Sequence, residues 1–580
     1  MKIKKGIGVS PGVAFARAVV LDTEEFDIPQ RHVPVDHAQE ELARLKKAIR
    51  TSKEEVLDLQ KRSIEKIGKQ TASIFDFHLG LLDDKVLQQK FSETIKGGHA
   101  TAEYAVQTVL RSYAREFLEM PQYLAERVKD IYDIEKRLLR NLTGQARQTL
   151  SHLKQDVCVL AHDMTPSQTA SMDRAHIQGM AIDAGGQTSH TAIVARALGI
   201  PAVVGLNDVT AEAVAGDMVI IDGNRGVVIL NPDQGTLDDY HHYAQQQVEF
   251  QHSLDALRDL PAITRDGHEV TLLGNIEFPS EVEGVFEKGG QGIGLYRTEF
   301  LYLGSDREPS EKDHYAAYRH VLETCQGRPV VIRTMDLGAD KYTQARARVP
   351  ERNPMLGLRS IRYCLQNLPM FRTQVRAILR AAEGVRVSML FPLITNLLEL
   401  RQAKTIVRDV MEDLEEEGVP HGTDVLIGMM VETPSAALQV NSFAQEVDFF
   451  SLGTNDLVQY TLAVDRGNER VAPLFNAANP AVLRLIKEVI RAGQRHGVPV
   501  SLCGEMAGDA EFTLLLLGLG LRTFSCTPPA IPEIKKIIRS VTMEQALQVA
   551  RRVMSFDSDH EIMTYLRAES RKVLPEAYAD

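Results

Sequence analysis

Cysteine is scarce in this chain and scattered. Cys158, Cys325, Cys364, Cys503 and Cys526 show no CxxC spacing, which argues against both a disulfide framework and a cysteine-built zinc site. Reduced thiols are expected. Long apolar runs are also missing, since none approaches the roughly 18 to 20 residues that a membrane helix needs. The signal-like stretch Lys2 to Leu21 is broken by Pro11, Gly12 and Arg17, with no small-residue cleavage pattern after it. A cytoplasmic protein without membrane insertion is expected. Positive charge is in deficit: 66 Lys and Arg against 78 Asp and Glu leave −12. That balance argues against nucleic acid as the main partner and suits a basic protein. Short repeats are absent, and the acidic tract Glu415 to Glu417 reads as a solvated helix face.

What is present is globular in kind, with 44% hydrophobic and 25% charged residues. A chain of 580 residues exceeds one ordinary core, so roughly two to four domains are expected, one of them large enough for a barrel. Residues 1–21 alternate around Ser10-Pro11-Gly12 and predict strand, turn, strand, joining a sheet formed later in the chain. From Asp36 to about Gly144, Leu42, Leu45, Ile49, Val56 and Leu59, then Leu124, Val128, Ile131 and Leu138, fall on helical spacing. An antiparallel helical bundle is the simplest arrangement. Strands return over 155–232, and a polar, Gln-rich helix from Leu237 to about Leu260 reads as a linker.

From Arg265 onward, eight short apolar runs recur between helical segments, from Val270–Ile276 to Thr523–Cys526. Eight strand-helix units fit a (β/α)8 barrel of the TIM type. The predicted fold is therefore a multidomain α/β chain. An α/β lobe (1–21 plus 145–232) carries an inserted helical bundle (22–144), followed by a linker helix (233–262) and the barrel (263–580).

Two regions carry candidate chemistry. In the lobe, Gly185-Gly186 makes a sharp bend and Thr188-Ser189 caps a helix running to Leu198, which puts His190 in the first helical turn. Unpaired backbone N–H groups there favour an anion, so an imidazole at that place suits a phosphoryl group. A lone histidine beside Gly-Gly is a weak motif, however. In the barrel, polar residues follow the apolar runs: Arg297 and Glu299 the second, Arg333 and Asp336 the third, Glu432 the fifth, Asn455-Asp456 the sixth, Cys503 and Glu505 the seventh. All these strand ends meet on one face. Arginines with carboxylates from several strands imply an anionic ligand with a metal, Mg2+ being held typically by one or two carboxylates plus substrate phosphate. Arg297 and Arg333 can fork onto phosphate oxygens, and Arg466 in VDRGN can add a contact. A structural salt-bridge network is the competing reading of the same residues. Cys503 alone reads as a buried strand cysteine, and Thr169 as an ordinary helix start.

The string GGQTSHTAIVARALGIPAVVG (185–205) closely resembles the phosphohistidine segment of the phosphoenolpyruvate-utilising enzymes. The barrel half resembles the enzyme I members of that family, those of the phosphoenolpyruvate (PEP):sugar phosphotransferase system. It does so in GIGLYRTEFL (292–301), VIRTMDLGADK (331–341), ERNPMLGLRSIR (351–362), GMMVETPSAA (428–437), DFFSLGTNDLVQYTLAVDRGN (448–468) and SLCGEMAGD (501–509). The resemblance implies that His190 takes phosphate from PEP, with Thr169 bonded to its ring. It implies that Arg297, Arg333 and Arg466 hold PEP, Asn455 orients its phosphate, and Glu432 and Asp456 bind Mg2+. Cys503 would protonate the enolpyruvate leaving group, with Lys341 and Arg359 in supporting places. The same resemblance implies a swing about the linker, a homodimer through the barrel, and transfer to the histidine-containing phosphocarrier protein HPr. The stretch Ile74 to Asp84 reads as bundle core with a solvated helix end. It also resembles the carrier-docking face, which makes Phe75, His78, Leu82, Asp83 and Asp84 candidate partner contacts. Two rival functions stand beside this one. A dikinase or PEP synthase needs an ATP domain, and no Gly-rich nucleotide loop is present. A silent PEP-sensing regulator would not need the matched charged groups and Cys503. Departures from the family pattern are Gln187, Ala339, Leu358 and the loop Val471 to Asn479.

Overall fold

Short alternating apolar runs build the first sheet. The computed structural model describes residues 1–21, 34, 37–67, 74–98, 100–118, 128–143, 155–164, 176–186, 191–192, 194–195, 199–303, 308–337, 351, 353–466, 468 and 470–578. They divide into two units, Met1–Gln245 and Gln246–Asp580. In the first, strands β1 (Lys2–Lys5), β2 (Ile7–Ser10), β3 (Val13–Leu21), β4 (Val157–Ala161), β5 (Ile177–Ile182), β6 (Ala202–Val204), β7 (Met218–Asp222) and β8 (Val227–Leu230) form one sheet in the order β1-β8-β7-β3-β4-β5-β6-β2. Successive residues point to opposite faces and both faces are covered: Val157, Val159 and Ala161 pack in one cluster, Cys158 and Leu160 in another. The turn after Ser10 forms with Gly12 at φ +116°. Its two arms take different neighbours, β2 pairing β6 and β3 pairing β4 and β7. Strand β1 was not anticipated, because KIKK lacks an apolar run. It forms as an edge beside β8, with Lys4 reaching Asp208 and Glu212 at 2.8 Å each.

The helical stretch holds α1 (Ala38–Ile67), α2 (Ile74–Asp83), α3 (Lys85–Gly98), α4 (Ala102–Leu118) and α5 (Val128–Thr143). Leu45, Ile49, Val56 and Leu59 on one apolar face pack with Val128, Ile131 and Leu138. Leu42 is only partly buried, and Leu124 lies outside the described residues. Three expected partner contacts are corrected here. Phe75, His78 and Leu82 are 1%, 0% and 2% exposed, so they fill the bundle core and offer a carrier no surface. Apolar character at helical spacing reads alike whether it faces a core or a partner. Asp83 is exposed and pairs with Lys53. Asp84 caps α3, accepting Val86 N–H at 2.7 Å.

Helix α6 (Gln234–Asp255) contains the boundary between the units, and Leu254 is its one buried residue. The second unit is a closed barrel of eight parallel strands: β9 (Thr271–Ile276), β10 (Ile293–Arg297), β11 (Val330–Arg333), β12 (Val387–Phe391), β13 (Val425–Val431), β14 (Phe449–Leu452), β15 (Val500–Leu502) and β16 (Thr523–Cys526), with β16 returning to pair β9. Inside it pack Leu295, Leu390, Met430 and Cys503; outside, a continuous core joins strands to helices. Each such fully buried aliphatic or aromatic side chain contributes about 1.5–3 kcal/mol. Helix α7 (Glu311–Cys325) starts at Ser310, whose Oγ accepts Asp313 N–H at 3.3 Å while the Asp313 carboxylate accepts Ser310 N–H at 2.9 Å. Helix α8 (Leu368–Ala381) is strongly buried on one side, Gln374 included. Among the described residues no helix is long and apolar enough to cross a membrane.

Candidate active site at the barrel mouth

Parallel strands that close into a barrel end on one rim, and the residue after each apolar run projects there. A cleft of about 400 Å³ opens at that rim. The structure brings Arg297, Arg333, Glu432, Asn455, Asp456, Arg466, Cys503 and Arg359 together along its wall. His190, Thr169 and Lys341 lie outside the described residues, as do Gln187 and Ala339; of the His190 helix, Thr191, Ala192, Val194 and Ala195 are helical.

The buried arginines are held by carboxylates. Arg333 pairs with Glu299 and, at 3.1 Å, with Asp336. Arg359 reaches Asp336 at 3.0 Å and Asp456 at 3.2 Å. Burial pushes the Asp336 carboxyl up, but Arg359 and Arg333 outweigh it and hold it at about 2. Arg297 and Arg466 are more exposed, resting on Glu277 at 3.0 Å and Glu505 at 3.4 Å. Asn455 and Glu505 exchange two hydrogen bonds of 2.9 Å, which fixes the amide at the start of helix Thr454–Leu462. Backbone N–H groups at such a helix start favour phosphate.

Glu432 stands apart from this network. Burial, then Asp456 and Asp336, push its carboxyl up to about 8 against Arg333 and Arg359. One oxygen accepts Leu393 N–H at 2.5 Å, and Leu393 adopts φ +53°, a strained backbone that aims the N–H at the carboxylate. Glycine is required beside it, since a Cβ on Gly453 would lie 2.8 Å from Glu432 Oε2. The cleft wall carries four guanidiniums (Arg297, Arg333, Arg359, Arg466) against five carboxyls (Glu299, Asp336, Glu432, Asp456, Glu505). A polyanionic ligand therefore needs additional positive charge. Glu432 and Asp456 fit a hard cation of the Mg2+ kind: a neighbouring pair of carboxyls, one holding a proton that a cation would displace. Among the described residues no group of three or more His, Cys, Asp or Glu is placed to hold a metal alone. A cation here would complete its shell with substrate oxygens and water.

Cys503 is 2% exposed and lies on the cleft wall. Burial pushes its thiol up, so the sulfur holds its proton. Sequence reasoning missed the polar residues inside the apolar runs. Asn275 in β9 donates to the Cys503 carbonyl at 3.0 Å, and Ser451 in β14 donates to its sulfur at 3.1 Å. It also missed Gln374, which accepts Met335 N–H at 2.9 Å and donates to Thr298 Oγ1 at 2.9 Å; Thr298 in turn donates to the Arg333 carbonyl at 2.7 Å. Ser451 and Asn275 each stand as a polar residue within a largely apolar run, whereas Gln374 stands among Arg372, Thr373 and Arg376 and is not marked out in that way.

Residues 251–543 match the PEP-binding domain of the PEP-utilising enzymes, residues 5–127 their N-terminal domain, and residues 153–226 their mobile domain. A phosphoenolpyruvate-protein phosphotransferase of Geobacillus stearothermophilus is 42% identical over 567 residues, 97% of each chain. One of Staphylococcus carnosus is 40% identical over 560 residues, 96% of this chain and 97% of its own.

Proposed function

The chain belongs to the phosphoenolpyruvate-protein phosphotransferase family, and from that membership we propose how its residues share the reaction. The enzyme transfers the phosphoryl group of PEP to protein. In the proposal Arg297, Arg333 and Arg466 fork onto the phosphate and carboxylate of PEP. Asn455 and the helix start beside it orient the phosphoryl group, and Arg359 keeps Asp336 and Asp456 in place. Phosphoryl transfer depends on in-line positioning and charge stabilisation more than on covalent machinery. Glu432 and Asp456 would hold Mg2+, which when bound offsets the charge of the phosphoryl oxygens. A ring nitrogen of His190 attacks phosphorus, the P–O bond to the enolate breaks, and Cys503 gives its thiol proton to the enolate carbon to form pyruvate. Phospho-His190 then passes the group to a histidine of HPr, which starts sugar uptake by the phosphotransferase system. Thr169 and Lys341 keep supporting roles in this scheme.

The observation that supports it most is the convergence of arginines, paired carboxyls and a protonated thiol from five strands on one cleft. Since His190 has to serve both PEP and a carrier, the proposal includes a swing about residues 232–262. It also includes a homodimer through the barrel, which rests on family resemblance; sedimentation giving a monomer at all concentrations would overturn that part. A cytoplasmic location is included too, supported by five free cysteines. The experiment is incubation with labelled PEP and Mg2+, intact protein against His190→Ala. Acid-labile, base-stable label on the intact chain alone is expected. Equal label on both would overturn the His190 assignment.

A further inference from the structure

Within β14 one hydroxyl sits among aromatic and aliphatic neighbours: Ser451, between Phe450 and Leu452, with no exposed surface. Strand pairing sets Ser451 against Ser501 and Leu452 against Leu502, which brings Cys503 just past the end of β15 into reach. The Ser451 Oγ donates to Cys503 Sγ at 3.1 Å. The cysteine backbone is held by other groups. Its N–H donates to the Leu452 carbonyl at 3.1 Å, and its carbonyl accepts from Asn275, whose Oδ1 takes the Ser525 hydroxyl at 2.6 Å. Cys503 therefore keeps its place without Ser451, and the hydroxyl acts on the sulfur itself.

We propose that Ser451 is a positioning residue that stabilises the Cys503 thiolate as its proton is delivered to the enolate carbon, an inference that rests on the Cys503 assignment above. In that step the S–H bond breaks, a C–H bond forms at C3 of the enolate, and pyruvate results. The thiolate persists until water returns a proton. A hydroxyl hydrogen bond strengthens as its acceptor becomes anionic, so this contact is worth more in the transition state than before it. The thiol itself donates to the Leu452 carbonyl at 3.6 Å, and the charged groups that act on it are Arg333 from β11 and Arg297 from β10, which favour the thiolate, and Glu432 after β13, which opposes it. A neutral donor adds stabilisation without further charge in a cleft that already holds nine Arg, Asp and Glu side chains.

The test is exchange of the C3 hydrogens of pyruvate into D2O by the full chain with Mg2+, followed by proton NMR. This reaction needs the thiol and not His190. Ser451→Ala is expected to lower the maximal exchange rate about tenfold to a hundredfold, the scale of a hydrogen bond to a charged group. Half-saturating pyruvate should be unchanged, and the rising limb of the pH profile should move to higher pH. Ser451→Cys, nearly isosteric with a weak donor, should fall between the two. Exchange by Ser451→Ala at the intact rate, with Cys503→Ala inactive, would sink the role of Ser451 alone. A slower rate with weakened pyruvate binding and an unmoved pH profile would make the residue merely structural and sink it too. Exchange surviving in Cys503→Ala would instead overturn the Cys503 assignment.

Discussion

The helical bundle and the barrel both bury charged side chains, and they use them differently. In the bundle, Arg137 is 2% exposed and pairs with Glu55 at 2.6 Å, while His78 lies between Asp130 and Asp133 at 3.7 and 3.8 Å. These groups face one another inside a closed core. At the barrel mouth, Arg333 and Arg359 are also buried, yet their partners line an open cleft and Glu432 is left with a proton it holds up to about 8. Charge that is balanced inside a core specifies packing; charge left unbalanced along a cleft specifies a ligand.

The largest expected effect tests that contrast directly. Arg333→Met leaves Glu299 without its guanidinium and Asp336 with Arg359 alone, at a cost of about 3–5 kcal/mol in urea unfolding. PEP-dependent labelling should fall by roughly a thousandfold, the scale of losing one main charge stabiliser. Arg137→Met should destabilise the bundle comparably yet leave pyruvate hydrogen exchange in the barrel within about twofold, because the two have separate cores and sites without shared partners act independently. Loss of barrel exchange in Arg137→Met would break the contrast. Phe75→Ala should cost the bundle about 3–5 kcal/mol, as a buried aromatic does. A stability close to the intact protein would restore Phe75 as a surface contact.

The pH effects come next. Glu432 keeps its proton in the folded protein up to about 8 but loses it near its ordinary 4.5 when unfolded. The unfolded chain binds fewer protons in that window, so stability falls as pH rises through it. Glu432→Gln should flatten this slope in thermal melts. Mg2+ should raise the melting midpoint of the intact protein, most strongly towards pH 8, and leave the Gln variant unmoved. His314 runs the other way. Burial pushes its ring down to about 4, where it bonds Tyr302 and Tyr318 at 3.1 and 2.8 Å. Its share of stability is full above about pH 6.5 and lost as pH falls to about 4; His314→Asn should remove that window from acid unfolding curves. The smallest effect is Asp83→Asn, within about 0.5 kcal/mol in stability as an exposed position, but slowing transfer to HPr. Unchanged transfer would remove Asp83 from the carrier face.

The barrel was legible because each of its strands is an apolar run of strand length followed at once by a charged or amide side chain at most of the ends. In a parallel barrel that order places the polar residue on the rim. Ser451, Asn275 and Gln374 were not legible. A hydroxyl or amide in an apolar run (Ser451, Asn275) or on an amphipathic helix (Gln374) does not name its partner, and its meaning is the atom it meets across the fold, Cys503 for two of them. Phe75, His78 and Leu82 failed for the complementary reason. Helical spacing says that they share a face, not what covers it. Strand β1 was missed since its pairing with β8 comes from backbone hydrogen bonds and from carboxylates gathered by other segments.

By itself the amino-acid order determined the number of barrel strands and the kinds of side chain at most of their ends. These follow from local periodicity and composition, which neighbours along the chain set. Tertiary structure alone decided which carboxyl keeps its proton, which hydroxyl touches the thiol and which apolar residues face inward. Those depend on burial and on atoms brought together from positions far apart in the chain, such as Asn275 and Cys503.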